Sequence, residues 1–145
     1  MTSNSGILIR RLPPDEHHRA KLFYRSVGYM DPVSADSLIV AAFADDHMIG
    51  AVRLCTEYSD LLLRGMMIAP GWQRQGIGSR MLQELERFIG NRPCHCLPHD
   101  WLTDFYGQIG FVTIPDDHAP GHLRERLHRY RNGPYPHVLV MRRPA

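Results

Sequence analysis

The sequence predicts an α/β (α+β) fold in which a mixed, mostly antiparallel sheet is flanked by helices. Three observations carry this. The first half of the chain holds short apolar segments bounded by turn residues, the signature of consecutive strands. Residues 77–89 then carry apolar side chains at helical spacing. Beyond them extended and helical segments alternate, and strands followed by strand–helix–strand–helix–strand is the order of a mixed sheet. The 145 residues, 43% hydrophobic and 22% charged, suit one packed domain, expected over residues 7–145.

Ile7 to Arg11 reads as the first strand. Asp15 to Val27 reads as a helix, with Ala20, Phe23, Tyr24 and Val27 at helical spacing after Pro13, Pro14 and two acids. Ser37 to Ala44 is a buried type of strand. Asp45-Asp46-His47 supplies its turn and Met48 to Cys55 its hairpin partner. After the turn Tyr58-Ser59-Asp60, Leu61 to Ala69 is a further strand, stopped by Pro70-Gly71. In the next helix Ile77, Met81, Leu82, Leu85, Phe88 and Ile89 form the apolar stripe. Arg80, Glu84 and Arg87 take the other face, and Gly90-Asn91 with Pro93 end it. Cys94 to Leu97 is a short strand. Asp100 is placed to cap a helix from Trp101 to Ile109, closed by Gly110, and Phe111 to Ile114 is extended. Pro120 opens a last helix, with Leu123, Leu127 and Tyr130 inward and Gly133 at its end. His137 to Arg142 is the final strand.

Composition narrows the function. No apolar run approaches the roughly 20 residues of a membrane span, so no membrane partner is expected. The net charge of +2 does not argue for nucleic acid. Sixteen arginines stand against one lysine, Lys21. Arginine suits phosphate recognition, but a solvated surface accounts for the count equally well. Met1 to Gly6 is small and polar with no apolar segment behind it, and reads as a flexible terminus rather than a secretory signal. Three cysteines without such a signal point to reduced thiols in the cytoplasm.

The segment richest in chemistry is Met66 to Arg80, where a strand ends, a tight turn follows and a helix begins at two glycines. A helix N-terminus leaves about four N–H groups without partners and carries roughly half a positive charge. A pyrophosphate fits there. Gly76 lets its oxygens approach without a Cβ in the way, Gly78 is expected to do the same one step deeper, and Arg74 and Arg80 can add charge. The spacing is not that of a Walker loop and lacks the third glycine of a dinucleotide fingerprint.

Gln73-x-x-Gly76-x-Gly78, preceded by Ile68 and Pro70, resembles the acetyl-CoA motif of the GNAT acetyltransferases. Phe105-Tyr106-Gly107-Gln108-Ile109-Gly110-Phe111 resembles a second segment of that family, and Tyr106 follows Gly78 by 28 residues. The resemblance covers about Leu61 to Phe111. It implies a sheet splayed between the strand at Leu61–Ala69 and the strand at Cys94–Leu97, with acetyl-CoA as co-substrate and no metal. The pantetheine arm would lie in the gap like an added strand. Its amides would meet the backbone of Met66, Met67 and Ile68. Gln73, Arg74, Gln75, Gly76, Ile77, Gly78 and Ser79 would surround the pyrophosphate.

Acetyl transfer to an amine needs a neutral amine, stabilised oxyanion charge and a proton for the leaving thiolate. A lysine-like amine is neutral in only about one molecule in 2,500 at pH 7. Tyr106 stands at the family's general-acid position, and a tyrosine stays protonated at neutral pH; packing beside Phe105 and Ile109 is the other reading of it. Some relatives carry a glutamate base six residues before the position of Ile68; Leu62 stands there. An asparagine often stands seven residues before the tyrosine; here it is His99. Glu57, Asp60, His99 or a water relay are the candidate bases.

Cys94-His95-Cys96 with His99 has zinc-like composition, but on a strand the cysteines face one side and His95 the other. Buried thiols are the reading taken. His17-His18 reads as an exposed helix face. Arg124 to Arg131 is basic on its polar side. A solvated face is the reading taken; an acidic partner, RNA, the cofactor's 3′-phosphate, the acceptor site and an oligomer contact such as a homodimer are its alternatives. The expected activity is N-acetylation of a small-molecule amine. The alternatives are a protein amine or aminoacyl-tRNA acceptor, and a CoA-binding module without turnover.

Overall fold

The structure, a computed structural model, describes residues 6–145. The flexible terminus expected at residues 1–6 lies outside the described residues except for Gly6. Seven strands form one sheet: β1 (Ile7–Leu12), β2 (Leu38–Ala44), β3 (His47–Glu57), β4 (Asp60–Ile68), β5 (Cys94–Cys96), β6 (Val112–Thr113) and β7 (Met141–Arg143). Their order is β1-β2-β3-β4-β5-β7-β6, and only β4 and β5 run parallel. Four helices, α1 (His17–Ser26), α2 (Ile77–Ile89), α3 (Thr103–Gly107) and α4 (Gly121–Arg131), flank it.

Strand alternation decides which helix each side chain meets. In β2, Ile39, Ala41 and Phe43 join Ala20, Phe23 and Tyr24 of α1. Val40 and Ala42 point the other way, into a core with Ile77, Met81, Leu82, Leu85 and Ile89 of α2. The stripe read from the sequence is therefore the buried face of α2, with Phe88 packed half-buried at its margin. Leu62 and Val140 turn to Leu123 and Leu127 of α4.

Three segments depart from the expected elements. The first helix begins at His17, because Pro14–Glu16 forms a tight 3₁₀ turn ahead of it. The helix expected at Trp101–Ile109 divides into a 3₁₀ turn at Asp100–Leu102 and the short α3. Asp100 does not cap it: its backbone N–H is drawn to His137 O at 2.9 Å, and His99 holds the cap position. The last strand is confined to Met141–Arg143. Upstream of it, Val138 bridges His99, Leu139 donates to Pro98 O, and Ile114 donates to Val140 O. Residues 137–140 thus pin the 98–100 loop instead of extending the ladder.

Candidate active site

Two properties of β4 open the sheet. It pairs with β5 at one position, Leu62 with His95, and the strands part beyond it. It also carries one residue more than β3 between the pairs Ala51–Met67 and Arg53–Arg64, a β-bulge at Gly65-Met66. Gly65 has φ +69°, and a Cβ there would stand 2.7 Å from Tyr24 Oη. The Tyr24 hydroxyl donates to Gly65 O at 2.8 Å, so α1 fixes the bulge. Arg53, 1% exposed, braces the same place: it donates to Pro32 O at 2.9 Å and Tyr29 Oη at 3.2 Å. Gly65→Ala should lower stability by about 1–2 kcal/mol from the left-handed backbone alone, and further through displacement of Tyr24. Urea denaturation measures this, and an unchanged midpoint would show that the bulge relaxes freely.

The gap is a cavity of about 360 Å³ bordered by Gly65, Met66 and Met67 on β4, Cys96 and Leu97 after the splay, and Tyr106 on α3. Of the three β4 residues expected along a pantetheine arm, Met66 and Met67 border it. Ile68 lies outside, and its carbonyl accepts from Gln73 Nε2 at 3.1 Å.

The turn before α2 is built by its own side chains. Gln73 holds Ile68 O, and Gln75 Nε2 donates to Gly71 O at 3.1 Å. Gly71, Arg74 and Gly76 have φ of +91°, +65° and +79°. Gly76 is the N-cap, with no side-chain cap, and the first helical bond is Arg80 N–H to Gly76 O. The N–H groups of Ile77, Gly78 and Ser79 precede that bond and face out of the helix start. Ile77 offers only its backbone, its side chain being 1% exposed in the core. Arg74 is exposed and has no partner among the described residues. A Cβ on Gly78 would stand 3.1 Å from the Phe105 ring, so this glycine also makes room for the neighbouring helix. Arg80 donates to Ile7 O at 3.1 Å. The Gly78–Phe105 contact also joins the two sequence motifs in space.

Tyr106 is 6% exposed, with the rings of Phe105 and Phe111 set edge-on at 5.0 and 6.2 Å. Its hydroxyl has no hydrogen-bond partner among the described residues. Burial pushes its pKa above the ordinary tyrosine value, so at neutral pH it is a proton donor facing the cavity.

Of the three side chains considered as bases, only His99 borders the cavity. It stacks on Trp101 at 4.4 Å and meets Tyr135 edge-on, with a buried Nδ1 that has no hydrogen-bond partner among the described residues. Glu57 lies behind the wall. Burial favours its neutral form, but Arg126 and Arg64 outweigh this and hold its carboxyl below the usual range. Asp60 is bonded to His122 Nε2 at 2.8 Å and borders a separate pocket at the other end of β4. The far wall is where Tyr29, Asp31, Arg64, Arg126 and Tyr130 meet. Arg126 and Tyr130 belong to the basic helix for which the acceptor site was one of the readings; Tyr29, Asp31 and Arg64 were not singled out in the sequence, and Gly65, a lone glycine within a strand pattern, carried a local signal of the bulge beside them.

Cys94 and Cys96 are buried toward α2, whereas His95 lies across the sheet on the Asp60 pocket. Burial pushes the Cys94 thiol up to about 12 and Cys96 upward as well. Among the described residues no group of three or more His, Cys, Asp or Glu side chains is arranged to hold a metal. Among the described residues no helix is long and apolar enough to cross a membrane.

The sheet thus splays beside a bulged strand, with a glycine-capped helix at one end of the gap and a buried tyrosine along it. The model of the acetyltransferase (GNAT) domain matches residues 35–113, just over half of the chain. The protein belongs to the GNAT acetyltransferase family, whose reaction is acetyl transfer from acetyl-CoA. No curated protein matches the chain in sequence. Solved structures share its fold. The N-acetylglutamate synthase of Neisseria gonorrhoeae, complexed with coenzyme A and N-acetyl-glutamate, superposes with a TM-score of 0.65 at 19% identity. The match covers 97% of this chain and 35% of that one, so the chain spans about a third of the synthase. The PaiA N-acetyltransferase of Thermoplasma acidophilum, in complex with coenzyme A, gives 0.59 at 17% identity, covering 96% and 99%. A GNAT acetyltransferase of Streptococcus pneumoniae gives 0.67 at 14%, covering 94% and 97%.

Proposed function

We propose that the protein is an N-acetyltransferase that moves the acetyl group of acetyl-CoA to the primary amine of a small molecule. The observation that carries this is the cavity where the bulged edge of β4 and Tyr106 meet beside the N-terminus of α2. Two neighbours solved with coenzyme A, both named for N-acetyl chemistry, support the reading. The pantetheine arm runs along Met66 and Met67. The pyrophosphate rests on the N–H groups from Gly76 to Ser79, with Arg74 free to add a charge-assisted bond.

In the reaction the neutral amine nitrogen attacks the thioester carbonyl. The C–N bond forms, the C–S bond breaks, the amine proton leaves to His99 or water, and Tyr106 protonates the departing thiolate. The products are the acetamide and CoA thiol. A small acceptor is supported by the cavity volume, near the lower end for small-molecule sites. It is also supported by α4, where Arg124 and Arg131 are committed to the fold and Arg126 is bonded through one nitrogen only. Arg124 donates to Ala119 O, Arg126 to Glu57, and Arg131 to Val138 O and Asp116. Three buried free cysteines suit a reducing compartment such as the cytoplasm.

The test is thiol release from acetyl-CoA over a panel of primary amines, beside thermal shifts with CoA. Expected are a stabilisation of about 2.7 kcal/mol at a hundred times Kd and turnover of at least one amine. Binding with no turnover across the panel would make the chain a CoA-binding module.

A further inference from the structure

At the far wall of the cavity two guanidinium groups and two carboxylates are unevenly paired. Glu57 is shared between two guanidinium groups: Oε1 accepts from Arg126 Nη2 at 2.5 Å and Oε2 from Arg64 Nη1 at 3.1 Å. Arg64 has a second carboxylate, Asp31, at 2.7 Å. Arg126 has none. Its side chain is 15% exposed, and among the described residues it makes one hydrogen bond and its buried Nη1 has no partner. His122 does not relieve it, since that ring bonds Asp60 and stands 4.0 Å from the same Glu57 oxygen. A guanidinium holds five donors in a planar fork that matches a carboxylate, and leaving such donors buried and unpaired is costly. Arg126 also borders the cavity, as do Asp31, Arg64 and the rings of Tyr29, Tyr130 and Tyr135.

Arg126 is placed there by sequence. On α4, Leu123 and Leu127 are buried under the sheet. Arg126 and Tyr130, one turn apart, therefore share the adjoining face that closes the cavity.

We propose that the acceptor is a small amino acid, an amine that also carries a carboxylate, and that Arg126 binds this carboxylate while the amine points toward Met67 and Tyr106. The inference rests on the N-acetyltransferase reading above. The incoming carboxylate pairs the donors of Arg126 that Glu57 leaves open, Arg64 having Asp31 besides. Arg64, held on both sides by Glu57 and Asp31, stiffens the wall. The tyrosine rings cover the acceptor's carbon frame.

The experiment measures thiol release from acetyl-CoA with α- and ω-amino carboxylic acids, each beside its carboxamide and its decarboxylated amine. Wild type should favour the carboxylates in kcat/KM by about 10–100-fold, the range of a charge-assisted hydrogen bond. Arg126→Gln should collapse that ratio toward one, mainly through KM for the acceptor, with the apparent affinity for acetyl-CoA retained. Arg126→Lys, which keeps the charge and loses the fork, should fall between. The CoA-dependent thermal shift of each variant shows that it is folded. Carboxamides or decarboxylated amines turned over as well as the acids by wild type, or an unchanged ratio in a folded Arg126→Gln, would overturn the carboxylate proposal and leave N-acetylation standing. No turnover of any amine would overturn both.

Discussion

Gly76→Val should abolish the thermal stabilisation that CoA gives wild type at concentrations about a hundred times its Kd. Two effects combine. At φ +79° the backbone occupies the left-handed region, where an L residue costs about 1–2 kcal/mol and a β-branched one more. The variant should therefore start with a Tm several degrees lower even without ligand. The second effect is on the anion. Gly76 is the N-cap of α2, and its exposed Cα borders the N–H groups of residues 77–79. An isopropyl group there occupies the space a pyrophosphate oxygen needs to reach them. Gly76→Ala separates the two effects, because it carries the backbone cost with much less bulk. Isothermal titration of both with CoA is the measurement. A folded Gly76→Val that binds CoA as tightly as wild type would move the phosphate site away from this turn.

The parts of this site that sequence made legible are the local ones. Helical spacing over 77–89 and the Gln73-x-x-Gly76-x-Gly78 turn lie within a few residues of themselves, and both stand where they were read. At Gly78 the structure adds a neighbour that the spacing does not contain, the Phe105 ring. That a missing Cβ also admits a neighbouring ring depends on Phe105, 27 residues away. The pairings of the far wall were illegible for the same reason, although the basic helix that carries Arg126 and Tyr130 was noted as a candidate for the acceptor site. Arg53 lies in an apolar strand, and its partners Tyr29 and Pro32 belong to the loop after α1. Asp31 meets Arg64 across 33 residues and Glu57 meets Arg126 across 69. Such pairs follow from strand register and from the angle at which α4 lies on the sheet, neither of which a periodicity contains. The end of the chain shows the limit from the other side. Residues 137–140 have a strand's composition, yet their hydrogen bonds go to the 98–100 loop and Ile114, because β5 is only three residues long.

Tyr106→Phe should lower kcat by about 10²–10⁴-fold, the range of general acid catalysis, with little change in the apparent affinity for acetyl-CoA. The expectation rests on what the substitution leaves in place. The ring is edge-on to Phe105 and Phe111, so most of its packing survives. The hydroxyl has no hydrogen-bond partner among the described residues, so its removal orphans no other group. What is lost, on the proposed role, is a proton donated to the sulfur as negative charge appears there, an interaction made chiefly in the transition state. The pH dependence follows from burial. The tyrosine's pKa lies above its ordinary 10 in the folded protein, so the donor is present through neutral and mildly alkaline pH and is lost only as pH rises past that value. An alkaline decline of kcat below about pH 10 in wild type thus belongs to another group. Between pH 6 and about pH 10 the variant's profile should keep the wild-type shape at reduced height. Burial of the neutral phenol also carries stability that is fully present below pH 10 and disappears above it, so the folded range bounds the assay. The measurement is kcat on an acceptor verified by product mass, across that pH range. A near-normal kcat would make Tyr106 a packing residue, with water or another group protonating the thiolate. A fall in acetyl-CoA affinity matching the loss in kcat/KM would make it a positioning residue that holds the cofactor's thioester in the cleft.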